Sequence, residues 1–294
     1  MSDWSTLIAQ LTKATGQDFR SIRIQPIVSK GCISETVVLE NGPHRYFVKL
    51  NDPSRLEMFV AEAEGLAALA AAKSVRVPTP ICWGAGSNQA YLVLEYFDLS
   101  VCGPQTQAEL GKQIAAMHRT TQAQFGWHRS NTIGRTPQVN AYSGNWAEFF
   151  RDRRLGFQLE LAGGIGNYHL QTSGERLLGH IGSFFDGYAP CASLLHGDLW
   201  AGNVGATVSG EPIVFDPAVY YGDRETDVAM TELFGGFGES FYRSYNDAWP
   251  LAPGYESRKT LYNLYHVLNH LNLFGRGYLP QAERMIGQLL AQVR

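Results

Sequence analysis

The most constraining feature of the chain is a change of rhythm near residue 98. Before it, "IRIQPIV", "ETVVLE" and "RYFVKL" alternate and carry β-branched residues, and Asn41-Gly42 sits between the last two as a hairpin turn signal. A helix is expected next. Asp52 suits an N-cap, Pro53 suits the first helical position, and "SRLEMFVAEAEGLAALAAA" is rich in helix formers. "RVPTPICWG" then breaks that helix, and "AYLVLEYF" reads as another buried strand. Beyond residue 98 the period becomes helical: in "QAELGKQIAAMHRT" Leu110, Ile114 and Met117 share one face, and residues 146–162 and 256–274 also read as helices. The expectation is an α+β chain of two lobes. Residues 1–98 form a β-rich lobe with one main helix, residues 99–294 a larger helical lobe, and a cleft lies between them.

The 294 residues, 45% hydrophobic and 17% charged, suffice for a sizeable core. A formal net charge of −3 leaves no electrostatic footprint for nucleic acid or an anionic membrane. Cys32, Cys82, Cys102 and Cys191 lack the paired spacing of a structural zinc site and read as reduced thiols. The start, "MSDWSTLIAQLTKATGQ", has no basic region followed by an apolar one, so a cytoplasmic location is expected.

Chemistry concentrates in "LLHGDLWAGN", residues 194–203. Asp198 and Asn203 stand five positions apart, and Asp216 follows thirteen later at the end of the apolar strand in "EPIVFD". An aspartate that orients and deprotonates a hydroxyl, followed by an asparagine and an aspartate that hold Mg²⁺ on a nucleotide, is the order found in a kinase catalytic loop. Phosphoryl transfer needs positioning and charge neutralisation, and hard oxygen ligands suit Mg²⁺.

The remaining parts occur in matching order. Lys49 stands near the end of "RYFVKL", as a phosphate-binding lysine does, and Glu57, Glu62 and Glu64 are its possible partners. Counting about 100° per residue, the apolar face of Phe59, Ala63, Leu66 and Ala70 centres near about 310°. Glu62 falls near about 240° and Glu64 near about 80°. Glu62 is therefore the expected partner, and Glu64 is expected to face solvent. "VSKGCISET" would cover phosphates through its backbone N–H groups, and Glu95, Tyr96 and Phe97 are expected either in an inter-lobe connector whose backbone would pair with adenine or in a core strand ending at a turn. His196 is expected to support the loop structurally. Asp227 either anchors the loop's N–H groups or caps the helix that it precedes. Only ten residues separate Asp216 from Asp227, too few for an activation loop and a peptide platform. A small substrate, or a small group displayed on something larger, is implied.

"LLHGDLWAGN", "FDPAVYYGDRETDVAM", "NTIGRTPQ" and "WAEFFRDRRLGFQLELA" resemble the fructosamine kinase (ketosamine-3-kinase) family, and the resemblance runs from "KGCISET" to "NHLNLFGRGYL". It implies a protein-kinase-like fold and the use of ATP and Mg²⁺ to phosphorylate the 3-hydroxyl of ketosamines. The product decomposes and frees the amine, which amounts to deglycation, a form of protein repair. By residue it implies Asp198 as base and Asn203 and Asp216 as metal ligands. Lys49 with Glu62 would meet the phosphates, and Gly31, Cys32, Ile33 and Ser34 would form the phosphate loop. Cys32 matches a loop cysteine that some members use as a redox switch. One departure is Ser29-Lys30 where many members carry glycines.

Trp200, two positions after the base, either stacks on a sugar ring or packs between lobes. Tyr262, His266 and Asn269 recur at helical spacing and offer either a substrate wall, with His266 the candidate, or a solvated face. The expected partner is a small-molecule ketosamine or a glycated protein lysine, taken by a monomer or homodimer. A kinase of aminoglycosides or amino alcohols, and a nucleotide-binding pseudokinase, are the rival readings. The former predicts an acidic pocket; the latter commonly lacks one of Lys49, Asp198, Asn203 and Asp216, all present here.

Overall fold

Two helices and five strands make up the first lobe of the computed structural model, which describes residues 4–19, 22–27, 34–165 and 168–293. Helix α1 (Ser5–Thr15) buries Leu7 and Leu11 against the sheet, a helix that the alternation downstream gave no reason to expect. The strands β1 (Arg23–Ile27), β2 (Glu35–Asn41), β3 (His44–Asn51), β4 (Pro80–Ala85) and β5 (Ala90–Glu95) form one sheet in the order β1-β2-β3-β5-β4. All its neighbours are antiparallel. Gly42 takes a φ of +60° in the turn between β2 and β3, as the Asn-Gly signal requires.

The proline-rich stretch expected only to end a helix also begins β4, with a register shift between Pro80 and Cys82. Proline is tolerated there because β4 is an edge strand. Asp52 does cap, but it caps a short 3₁₀ turn (Pro53–Arg55): its Oδ1 accepts from Ser54 N at 2.9 Å. Helix α2 (Leu56–Ala71) follows, burying Phe59, Ala63 and Leu66, whereas Ala70 is exposed and Leu69 closes the stripe.

Helix α3 (Pro104–His118) opens the second lobe and buries Leu110, Ile114 and Met117 as expected. Strand β6 (Thr121–Gln122) precedes a small hairpin, β7 (Asn131–Ile133) with β8 (Thr136–Gln138). The helix expected over 146–162 comes as α4 (Trp146–Phe150), a π turn (Arg151–Gly156) and α5 (Phe157–Gly163). After α6 (Tyr168–Leu178) come the strands that frame the cleft floor: β9 (Ala192–Leu195), β10 (Val204–Ala206), β11 (Pro212–Val214) and β12 (Tyr220–Gly222). Strand β9 is the middle of the sheet β12-β9-β6, and β10 pairs with β11. The chain ends in α7 (Glu225–Thr231), α8 (Glu239–Ala248), α9 (Tyr255–Phe274) and α10 (Leu279–Gln292). One apolar cluster contains Phe59 and Leu66 of α2, Leu92 and Leu94 of β5, Leu110 and Ile114 of α3, and Leu194 and Leu199. The two sides of the cleft therefore share a core.

Candidate active site

Strand β9 is buried along its whole length and delivers the chain into a loop whose backbone is tied from behind. Asp227 does the tying: Oδ2 accepts from His196 N at 2.7 Å and Oδ1 from Gly197 N at 2.8 Å, while His118 Nε2 lies 3.2 Å from Oδ2. Asp227 is the third residue of α7 and does not cap it. His196 is fully buried, with Nε2 donating to Phe215 O at 3.0 Å and Nδ1 accepting from Asp198 N at 3.3 Å. Burial holds it below the ordinary imidazole value, so it is a neutral strut between the loop and the chain before Asp216. Gly197 has a φ of +82°, and a Cβ there would lie 2.1 Å from Ala218 O. Ala218 N also donates to His196 O at 2.8 Å.

Asp198 is half-buried at the loop's tip, and Asn203 Nδ2 donates to its Oδ2 at 3.0 Å and its backbone oxygen at 2.9 Å. Loss of hydration pushes the Asp198 carboxyl up to about 7. Asn203 opposes the rise, and Asp216 and Asp227 add to it. Asp216 stands at a φ of +58°, a left-handed conformation that aspartate tolerates better than most residues. In this position its Oδ1 reaches Lys49 Nζ at 2.6 Å.

Lys49 leaves β3 inside the sheet and also donates to Glu62 Oε1 at 2.6 Å. Burial alone lowers a lysine's pKa, but Asp216 and Glu62 outweigh it and keep Nζ charged. Glu62 is thus the residue of α2 that meets Lys49. Glu64, expected in solvent, instead bonds Arg129 and His128. The donors suit a hard cation completed by phosphate oxygens. Asn203 offers an amide oxygen and Asp216, with a side chain 39% exposed, its second carboxylate oxygen. Among the described residues no three His, Cys, Asp or Glu side chains form an all-protein metal cage.

These groups open onto one cleft of about 800 Å³, lined by Ser34, Lys49, Glu62, Glu95, Tyr96, Phe97, Asp198, Trp200, Asn203 and Asp216. Gly31, Cys32 and Ile33 lie outside the described residues. Ser34 Oγ accepts from Asn51 Nδ2 at 3.1 Å, and Glu95 is held by Thr79 and Arg76. Trp200 lines the cleft. Its indole lies over Gly202, where a Cβ would come within 2.3 Å of the ring, and it meets Phe234 edge-on at 6.4 Å.

His266 is a correction. It is buried inside α9, outside the cleft wall, and burial pushes it down to about 3. Tyr262 donates to Asp223 Oδ2 and Asn269 to Ile133 O, so neither a substrate wall nor a solvated face describes this stripe. The cleft is reached one turn later, by His270, Phe274 and Tyr278. Their spacing of four was present in the sequence, but only the helix packing decides where the stripe emerges. The hairpin residues Asn131, Thr132, Ile133 and Gly134 also line the cleft and were missed. Their short strands carry no periodicity long enough to read.

Fold and site together define a bilobal phosphotransferase of the protein-kinase-like kind. The structure matches that of aminoglycoside phosphotransferase APH(4)-Ia, solved with ADP and hygromycin B, at a TM-score of 0.63 and 17% identity, covering 99% and 98% of the two chains. A crystal structure from Haemophilus somnus 129PT matches at a TM-score of 0.89 and 29% identity, covering 98% of this chain and 97% of that one. The model of the fructosamine kinase family matches residues 3–292, and the chain belongs to that family. It is 46% identical to the "Probable ketoamine kinase slr1563" of Synechocystis, over 98% of this chain and 97% of the relative. It is 37% identical to the chloroplastic protein-ribulosamine 3-kinase of Oryza sativa subsp. japonica, over 99% and 83%.

Proposed function

We propose that the protein transfers the γ-phosphoryl group of ATP to the 3-hydroxyl of ketosamines, carrying out the first step of deglycation. The observation that carries this reading is the placement of Asp198, bonded to Asn203, in the same cleft as the Lys49–Glu62–Asp216 triplet. Family membership and the names of the Synechocystis and rice relatives support the substrate class.

In this mechanism Lys49, fixed by Glu62, meets the phosphates, and the backbone of Glu95 to Phe97 takes adenine. The sequence assigns the phosphate loop to Gly31, Cys32, Ile33 and Ser34, of which Ser34 lines the cleft. Asn203 and Asp216 would hold Mg²⁺, which neutralises charge on the phosphate oxygens. Asp198 orients the acceptor hydroxyl and takes its proton as the new O–P bond forms and the bond to the ADP oxygen breaks. Trp200 and Phe274 offer aromatic faces to the sugar-amine. The carboxylates lining the cleft are Glu62, Glu95, Asp198 and Asp216, all assigned to nucleotide or catalysis. Among the described residues the wall formed by Trp200, Gly202, His270, Phe274 and Tyr278 has none, which favours a ketosamine over a polycationic aminoglycoside. The division near residue 98 separates the nucleotide-holding lobe from the acceptor-holding lobe. No helix among the described residues is long and apolar enough to cross a membrane, and we place the enzyme in the cytoplasm.

The test is ATP consumption against fructose-, ribulose- and erythrulose-amines beside aminoglycosides and choline, with the phosphate position read by NMR. Turnover of a ketosamine at its 3-hydroxyl is expected. Turnover of an aminoglycoside or choline alone would overturn the reading.

A further inference from the structure

Helix α2 is held to the second lobe by an ion-pair cluster on the side away from Lys49. Arg129 spreads its guanidinium over two carboxylates: Nη1 lies 2.8 Å from Glu64 Oε1 and Nη2 lies 2.5 Å from Glu57 Oε2. His128 Nε2 adds a contact to Glu64 Oε2 at 2.9 Å. Glu57 and Glu64 are seven positions apart, two helical turns, and so share a face. Glu62, two positions before Glu64, points about 160° away from it. Lys49 and Arg129 therefore hold α2 from opposite sides.

The segment that presents Arg129 is itself anchored. Trp127 stacks on Tyr221 with ring centroids 5.7 Å apart, Trp127 N donates to Asn140 O at 2.9 Å, and Asn140 Nδ2 donates to Arg129 O at 3.2 Å. Two residues on, Asn131 Nδ2 donates to Val219 O at 2.8 Å. Val219 packs on α2 where Gly65 leaves room, since a Cβ there would lie 3.1 Å from Val219 Cγ2. The anchor thus reaches the chain just after Asp216, which is the other carboxylate on Lys49. Burial works to raise the Glu64 carboxyl, but bonds from His128 and Arg129 overcome it and leave the group below its ordinary value.

We propose that Arg129 is a positioning residue for phosphoryl transfer: through Glu64 and Glu57 it fixes the rotation of α2, and so keeps Glu62 against Lys49 before nucleotide arrives. This rests on the reading of Lys49 and Glu62 as the phosphate-holding pair. A planar fork that engages two carboxylates fixes a rotation in a way that a single point charge does not. Glu57 is 77% exposed, so its share is small, and Glu64, at 38%, carries more.

The experiment uses the full chain and measures ATP affinity by equilibrium titration beside steady-state kinetics. Arg129→Met is expected to weaken ATP binding about three- to tenfold, the range of a partly exposed ion-pair network, with the acceptor KM unchanged. In a Glu62→Gln background the same substitution is expected to add less than about twofold, because the contact that it positions is already gone. An additive loss, or equal movement of the ATP and acceptor KM values, would overturn the proposal. Should Arg129→Met fold poorly, Arg129→Lys answers the question: an intermediate ATP affinity supports the fork, and wild-type affinity refutes it. Lys49→Met separates the two readings. If it leaves ATP affinity intact, the assignment of the phosphate pair fails; if it weakens ATP and Arg129→Met does not, only the role of Arg129 fails.

Discussion

Lys49 Nζ and Asp216 Oδ1 stand 2.6 Å apart although 167 positions separate them in the chain. Since Glu62 Oε1 is equally close, one buried cation serves two carboxylates, one from each lobe. Lys49→Met leaves those carboxylates facing each other without a counter-charge. Turnover is expected to fall by about 10²-fold or more, the loss typical of a deleted electrostatic donor, and ATP affinity with it. Single-turnover kinetics and nucleotide titration check this; a loss below about tenfold in both would refute the role.

Asp198→Asn retains an oxygen that can accept from Asn203 Nδ2, so the loop geometry is expected to survive. Turnover should drop at least about 10²-fold while ATP affinity changes little. Stability should move the other way. With its folded value pushed up to about 7, Asp198 binds a proton more readily in the folded than in the unfolded chain. Stability from this group is therefore lost as pH rises from the ordinary carboxylate range through about 7. The neutral amide escapes that loss, so in metal-free buffer at pH 8 the variant should melt no lower than the wild type. A clearly lower Tm would contradict the account of Asp198.

Gly202→Ala puts a methyl carbon where Trp200's ring now lies, at 2.3 Å, so the indole must swing away. The acceptor KM is expected to rise about tenfold with the ATP KM unaffected, and Trp200→Leu should reproduce that split because the flat aromatic face is lost. Equal changes in both KM values would place Trp200 outside the acceptor wall.

Arg258 and Glu225 form a buried fork, Nε to Oε2 at 2.7 Å and Nη2 to Oε1 at 3.1 Å, with side chains 3% and 0% exposed. Arg258→Met strands the carboxylate and should destabilise the fold by about 3–5 kcal/mol, whereas removing both charges should cost less. Urea denaturation of the single variants and the double variant tests this, and a single-variant loss below about 1 kcal/mol would show that the pair is not under strain from burial.

Most of the site was legible because its chemistry depends on local order: Asp198, Asn203 and Asp216 lie within nineteen positions, and the loop that joins them is short. Glu62 was separable from Glu64 because helical phase alone turns one towards Lys49. What that phase could not supply was the partner of Glu64, since Arg129 arrives from a segment with no regular period. His266 failed for a related reason. Periodicity identifies a face of α9, but the depth at which that face leaves the bundle depends on the neighbouring helices, and it emerges only at His270. In the fold, α1 and β4 were missed, one lying ahead of the alternation and the other masked by its prolines.

The knot at Gly197 sets the terms for changing what this enzyme acts on. Its positive φ and the carbonyl of Ala218 admit no side chain, and the same few atoms tie the Asp198 loop to the turn after Asp216. A library that randomises 196–198 or 216–218 should return the parental residues and little else. Laboratory evolution towards new acceptors has room instead at Thr132, His270, Phe274 and Tyr278, whose side chains line the cleft and can be exchanged without loosening that knot.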